Sequence, residues 1–369
     1  MAAQTGNTAP VLSDFEGQGA VYDGLMRTLH DGTFVHAYLI TGLEGMGKRT
    51  LARLLAQYWL CQAPEGEKRP CGVCRACQQV RDGTHADLVI IAPGKPISPD
   101  VRPDMKSIPV DEIRAEADRL AQAGFTELVL TGIHLTSYGR DFTPRQTLLD
   151  AIRAVQDVPG VRRIRLGSLE PTVATVEFAQ ALRTMDKVCP QFHLALQSGS
   201  DTVLQRMARR YNMRMYRQAM ENLRAVYPMA AFTTDVLTGF PGETEAEVEE
   251  TRAFIREARY AKIHVFPYSQ REGTKAAVMP GQLSNAEKER RARLLIAAGD
   301  EMARQYREQW VNEVAEVLLE EPVNGHWTGY TPEYIAVTLP EGYAGRQGGF
   351  VRVRLTGLNE SGMDGTPCE

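Results

Sequence analysis

Between Val110 and Ser269 the chain alternates five times between a helical stretch and a short apolar strand, and no other feature restricts its fold as tightly. Apolar residues at helical spacing in 110–123 lead through Gly124 into ELVLTGIHL. Helix 147–156 precedes RRIRLGSLEP, helix 175–185 precedes FHLALQSGS, a helical stretch over 201–226 precedes AAFTTDVLTGFPGET, and helix 245–258 precedes AKIHVFPYS. Repeated units of this kind imply a parallel sheet, and five strands suit a partial barrel or an open α/β sheet. Such sheets bind ligands at the carboxyl ends of their strands. Gly132, Ser168, Glu170, Gln197, Ser198 and Asp235 fall there and are the candidate pocket lining, with Glu170 or Asp235 offering a carboxylate to an amino or ribose group. Turn chemistry alone also places small and polar residues at strand exits. No catalytic residue is assigned.

A different pattern precedes this one. From Phe15 to about Arg114 the chain reads as a nucleotide-binding type of α/β unit, in which an apolar strand at 38–41 runs through a glycine loop into an amphipathic helix. Gly42, Gly45 and Gly47 permit a tight turn that aims backbone N–H groups at a phosphate such as that of ATP; Lys48 adds the charge. Arg49 stands where Ser or Thr would hold magnesium, and Thr50 comes one position late, so hydrolysis is not expected. A glycine turn kept for packing is the alternative. Next come Cys61, Cys71, Cys74 and Cys77 at C-x9-C-x2-C-x2-C spacing. Four thiolates on a tight loop close a tetrahedral shell, which suits structural zinc; unligated or redox-active thiols are the alternative. Cys189 and Cys368 stand apart as free thiols.

A length of 369 residues allows two or three domains, and a net charge of −4 confines any nucleic-acid contact to a local patch. No apolar run approaches a membrane span, and the amino terminus lacks the pattern of a signal peptide, so a cytoplasmic protein is expected. The densest basic stretch holds Arg206, Arg209, Arg210, Arg214 and Arg217, interleaved with Tyr211 and Tyr216. That combination suits phosphate contact and base stacking on RNA, or else a solvated helix face.

Two resemblances follow. The segment FEGQGAVYDGLMRTLHDGTFVHAYLITGLEGMGKRT, the four cysteines, GTHADLVIIAPG and KSIPVDEIR resemble, in that order, the delta-prime subunit of the DNA polymerase III clamp loader. This resemblance implies zinc on the cysteines, a subunit that often cannot hydrolyse ATP, and clamp-loader subunits as partners. TGIHLTSYG, RIRLGSLEP, HLALQSGSDTVLQRMARRY, TTDVLTGFPGET and KIHVFPYSQREGT resemble the threonylcarbamoyladenosine tRNA methylthiotransferases, a radical S-adenosylmethionine family. That likeness implies a partial radical S-adenosylmethionine (β/α) barrel, a TRAM-like all-β domain at the carboxyl terminus, tRNA as partner, and S-adenosylmethionine with a 4Fe-4S cluster as cofactors. The expected domains are a truncated P-loop unit over 1–109, the partial barrel over 110–309 and the small β-domain over 310–369. The family's cluster-binding C-x3-C-x2-C and its amino-terminal methylthiotransferase domain are not found in this sequence, which puts activity of the chain alone in doubt. KSIPVDEIR fits either family and marks the seam.

Overall fold

The computed structural model describes residues 48–64, 69–82, 85, 107–132 and 134–368. Two compact units divide the chain, Met1–Met105 and Lys106–Glu369. The expected first strand and Gly42, Gly45 and Gly47 lie outside the described residues.

In the first unit α1 (Lys48–Leu60) packs against α2 (Arg75–Asp82). Leu51, Leu54 and Leu55 recur at helical spacing and are buried, as are Ala76, Cys77 and Val80 of α2. Lys48 and Thr50 sit in the first turn of α1.

The second unit is built on five parallel strands: β1 (Glu127–Leu130), β2 (Arg163–Leu166), β3 (Gln191–His193), β4 (Ala231–Thr238) and β5 (Lys262–Pro267). β1 pairs with β2, and β3 with β4 and β4 with β5; bridges at Ile164–Val188 and Leu169–Leu194 join the two sets in the order of the chain. Between the strands run α3 (Val110–Gln122), α4 (Leu148–Gln156), α5 (Val176–Arg183), α6 (Asp201–Arg206), α7 (Met213–Val226) and α8 (Glu245–Ala258), followed by α9 (Asn285–Glu308). Local chemistry starts several of them. Thr147 with Asp150 and Thr244 with Glu247 form capping boxes, and the Ser284 hydroxyl accepts the Glu287 N–H at 3.2 Å.

Alternation along the strands gives the sheet two unlike faces. Ile164, Leu166, Phe192, Leu194, Phe232 and Val236 point into the helix-covered core with Ile152, Leu182, Leu223 and Ile255. Glu127, Arg163, Arg165, His193, Thr233, Asp235 and His264 occupy the opposite face by register.

The helical stretch expected over 201–226 is broken. Ala208 adopts a left-handed φ of 56°, and Asn212 starts α7 afresh by accepting the Met215 N–H at 2.9 Å. An unbroken helix would instead carry the apolar side chains of both halves around one axis, away from their shared core.

After α9 a closed barrel of five strands follows, in the order β10-β8-β7-β6-β9, from β6 (Val314–Val323), β7 (His326–Tyr330), β8 (Ala336–Thr338), β9 (Phe350–Leu358) and β10 (Met363–Pro367). Val317, Val337, Val353, Leu355 and Met363 fill it. Closure removes free edges from so small a sheet. Arginines of β2 tie the barrel to the parallel sheet: Arg163 donates to the carbonyls of Tyr330 (2.9 Å) and Glu316 (2.6 Å), and Arg165 to those of Pro332 (2.7 Å) and Thr331 (2.8 Å). Arg165 also grips Glu127 of β1 at 2.7 Å. Among the described residues no helix is long and apolar enough to cross a membrane.

Candidate functional site

The carboxyl ends of the strands bring several of the expected residues to one rim. Gly132 and Ser168 are exposed beyond β1 and β2. Glu170 is half-buried, and its carboxylate lies 3.6 Å from His134 Nδ1. Asp235 of β4 stands opposite His264 of β5 and 3.6 Å from His193 Nε2. The other imidazole nitrogen of His193 meets the Thr233 hydroxyl at 3.1 Å. Burial lowers the pKa of His193, with His264 adding to the effect and Asp235 opposing it, so this imidazole is neutral at pH 7. Gln197, at a φ of 63°, extends the β3–β4 ladder by donating to the Asp235 carbonyl at 2.9 Å. Ser198 is turned inward: it is 1% exposed, lies 3.3 Å from the Thr251 hydroxyl and accepts the Ser200 N–H at 3.2 Å.

Sequence reasoning passed over two further residues of this rim, Tyr268 immediately after β5 and Lys288 of α9. The position of Tyr268 at a strand exit was the available signal. Lys288 carried none, because it reaches the rim from a helix whose placement is tertiary.

A four-iron, four-sulfur cluster needs several thiolates. Downstream of Cys77 only Cys189 and Cys368 remain. Cys189 is 3% exposed and precedes β3 at its amino end, and burial pushes its thiol up to about 11. The residues of the sheet therefore do not fit such a cluster.

The four clustered cysteines do fit a metal. Their sulfur atoms all lie within 4.8 Å of one another. Tetrahedral zinc, with Zn–S bonds of about 2.3 Å, separates its sulfurs by about 3.8 Å. Backbone N–H groups already point at the sulfurs: Cys71 donates to Cys61 at 3.4 Å, Cys74 to Cys71 at 3.3 Å and Cys77 to Cys74 at 3.4 Å. Burial raises the pKa of Cys74, yet the N–H groups of Cys77 and Gln62 outweigh it and hold this thiol at about 6. Burial pushes Cys77 up to about 12. Four adjacent sulfurs cannot all ionise without a cation among them.

Of the basic stretch, Arg209, Arg210 and Arg214 are exposed and have no carboxylate partner among the described residues. Arg206 is held by Glu247 at 2.6 Å and Arg217 by Glu257 at 2.6 Å. Tyr211 and Tyr216 are buried and donate to the carbonyls of Leu196 and Leu194, so neither ring is open to a base. Their spacing gave no hint of this, since basic and aromatic residues alternate equally well across a helix with one buried face.

A family model described as DNA polymerase III, delta subunit, matches residues 17–127. The threonylcarbamoyladenosine tRNA methylthiotransferase MtaB of Bacillus subtilis is 38% identical over 278 residues, covering 70% of this chain and 62% of that protein. MtaB of Rickettsia prowazekii is 33% identical over 297 residues, covering 79% of this chain and 67% of that one. The tRNA-2-methylthio-N(6)-dimethylallyladenosine synthase of Symbiobacterium thermophilum is 36% identical over 282 residues, covering 74% of this chain and 60% of its own length. Among solved structures, coproporphyrinogen III oxidase of Escherichia coli, described as a radical SAM enzyme, aligns at a TM-score of 0.41 with 13% identity, over 61% of this chain and 59% of that one. The chain thus spans 62% of the Bacillus subtilis relative. Chimera-like in makeup, with an amino-terminal segment similar to the polymerase III delta subunit, the chain belongs through its larger part to the threonylcarbamoyladenosine tRNA methylthiotransferase family.

Proposed function

We propose that the chain binds tRNA beside a modified adenosine and does not by itself carry out methylthiolation. Identity to MtaB proteins over most of the chain carries this reading. The rim of Gly132, Ser168, Glu170, Gln197 and Asp235 supports it, offering carboxylates and imidazoles to an amino group or a ribose of S-adenosylmethionine or of the base to be modified. Bond-breaking chemistry on S-adenosylmethionine calls for a cluster that the sheet has no thiolates to hold, so the role we assign is binding. Arg209, Arg210 and Arg214 contact the phosphate backbone, and the small closed barrel, read as TRAM-like, adds contacts by shape. Filter binding of tRNA tests this. Reversing charge at Arg209 and Arg210 is expected to weaken binding about tenfold or more and to flatten its salt dependence; unchanged affinity removes the arginine face from the proposal. Methylthiolation by the purified chain would overturn the assignment of binding alone.

Cys61, Cys71, Cys74 and Cys77 hold zinc in this reading, as a closed shell that supports the fold of the first unit. A second reading concerns that unit alone and is favoured by the match over residues 17–127: a zinc-stapled module from DNA replication, with Lys48 and Thr50 beside a nucleotide-binding loop. Capture of clamp-loader subunits by the intact chain would favour it, and capture of tRNA alone would exclude it.

A further inference from the structure

The two surfaces assigned to RNA lie at opposite ends of the parallel sheet. Tyr211, beside Arg210, donates its hydroxyl to the carbonyl of Leu196, which follows the carboxyl end of β3. The exposed arginines therefore flank that end. The small barrel packs at the other. Ala231, the first residue of β4, is fully buried among Val317, Val337, Val353 and Leu355 of the barrel, and Tyr306 of α9 joins them and donates to the Met229 carbonyl at 2.8 Å. The eight residues of β4, at about 3.3 Å each, set the two ends about 26 Å apart.

Apolar burial around Ala231 holds the barrel without fixing its rotation, because the hydrophobic effect has no direction. The arginines of β2 supply direction. Arg163 and Arg165, each 4% exposed, donate to four main-chain carbonyls of the barrel, those of Glu316, Tyr330, Thr331 and Pro332. Arg162, just before β2, and Arg163 lie over the Phe350 ring of β9 at 3.6 and 5.0 Å from its centre, and Arg165 lies over Tyr334 at 4.7 Å. Their charge is balanced on the spot by Glu127, 2.7 Å from Arg165 and 3.6 Å from Arg163, and by Glu316, 2.9 Å from Arg162. A guanidinium is a planar fork with donors in fixed directions, so several such bonds from one strand set orientation as well as contact. We propose that Arg163 and Arg165 are positioning residues for RNA: they fix the small barrel so that one RNA molecule touches it and the face of Arg209, Arg210 and Arg214 together. The chain then selects RNA long enough to span the sheet. Both arginines are buried and out of reach of RNA, so this inference rests on the tRNA reading and adds to it a requirement on length. Binding at one of two linked surfaces raises the effective concentration at the second, and a loosened link loses that gain.

The test is filter binding of the full chain to intact tRNA and to an oligonucleotide covering only the loop with the modified adenosine, which is too short to reach both surfaces. The unaltered chain is expected to bind tRNA at least about tenfold more tightly than the oligonucleotide. Arg163→Lys keeps the charge beside Glu127 and loses the fork; Phe350→Ala leaves both arginines with Glu127 and removes the ring beneath Arg162 and Arg163. Each should lower tRNA affinity at least about threefold and leave the oligonucleotide within about twofold, and Arg163→Met combined with Arg165→Met should erase the preference. Hydrogen exchange over β6–β10 reports whether the small barrel stays folded. A role in folding alone would weaken both RNAs together or strip protection from the barrel in all three variants, and either result would overturn the inference. Equal affinity of the unaltered chain for the two RNAs, or a preference unchanged in the variants, would overturn it as well. Oligonucleotide binding that still falls on charge reversal at Arg209 and Arg210 would leave the broader reading standing in each of these cases, whereas no binding of either RNA would remove both.

Discussion

In the four-cysteine unit the described core amounts to a few leucines of α1, Ala76 and Val80 of α2, and the cysteines themselves, whereas the sheet unit buries dozens of apolar side chains from five strands and the helices that cover them. Among the described residues of the first unit, a metal held by the four sulfurs would be a local cross-link, whereas the second unit rests on distributed apolar burial, in which no single contact decides the outcome. The contrast teaches that chemical and mechanical insults should separate the units: a chelator attacks one, and a cavity weakens the other.

Metal removal is expected to have the largest effect. Purified chain should carry one zinc, and chelation or Cys77→Ser should unfold α1 and α2, since structural zinc contributes on the order of 10 kcal/mol to such sites. Hydrogen exchange should show protection lost over α1 and α2 and kept over β1–β5; iron with sulfide in place of zinc would break the comparison. Next is Phe232→Ala, at a ring that is 1% exposed in the sheet core. It should cost about 3–5 kcal/mol in chemical denaturation with metal content unchanged.

A smaller, pH-dependent effect belongs to Glu247. Burial raises its pKa, but the Thr202 hydroxyl, the Thr244 N–H and Arg206 outweigh this and hold the carboxyl at about 2, below its ordinary 4.5. A depressed acid stabilises the fold above its unfolded value and loses that contribution as pH falls towards its folded value. The sheet unit should therefore lose about 3 kcal/mol between pH 4.5 and pH 2 on this account, and Glu247→Gln should flatten that part of the acid curve. Smallest for stability is charge reversal at Arg209 and Arg210. Both are exposed and unpaired by any carboxylate among the described residues, so unfolding should shift by less than about 0.5 kcal/mol while tRNA affinity falls.

Much of the sheet was legible because a parallel arrangement writes itself as alternating periods. ELVLTGIHL, RRIRLGSLEP, AAFTTDVLTGFPGET and AKIHVFPYS each contain a strand, and FHLALQSGS overlaps the short β3 at its first two residues, whereas the helix over Asn285–Glu308 was not read from the sequence. The cysteine cluster was legible too, since short spacing leaves a loop few ways to keep four thiols apart. Tyr211 and Tyr216 were not: whether an aromatic on a basic helix faces solvent depends on what packs beneath it, and here the carbonyls of Leu196 and Leu194 claim both hydroxyls. Ser198 belongs with them, placed at a strand exit by sequence and turned towards Thr251 by α8.

The sequence alone determined the order of the five helix–strand repeats, the grouping of the four cysteines and the family of the larger part, because these rest on local spacing and on residues close in the chain. Only tertiary structure decided which arginines lack a carboxylate partner among the described residues and which face of the sheet carries His193, Asp235 and His264. Those outcomes depend on burial and on partners far along the chain, such as Thr233, 40 positions from His193, and Pro332, 167 positions from Arg165, where no periodicity in the chain can reach.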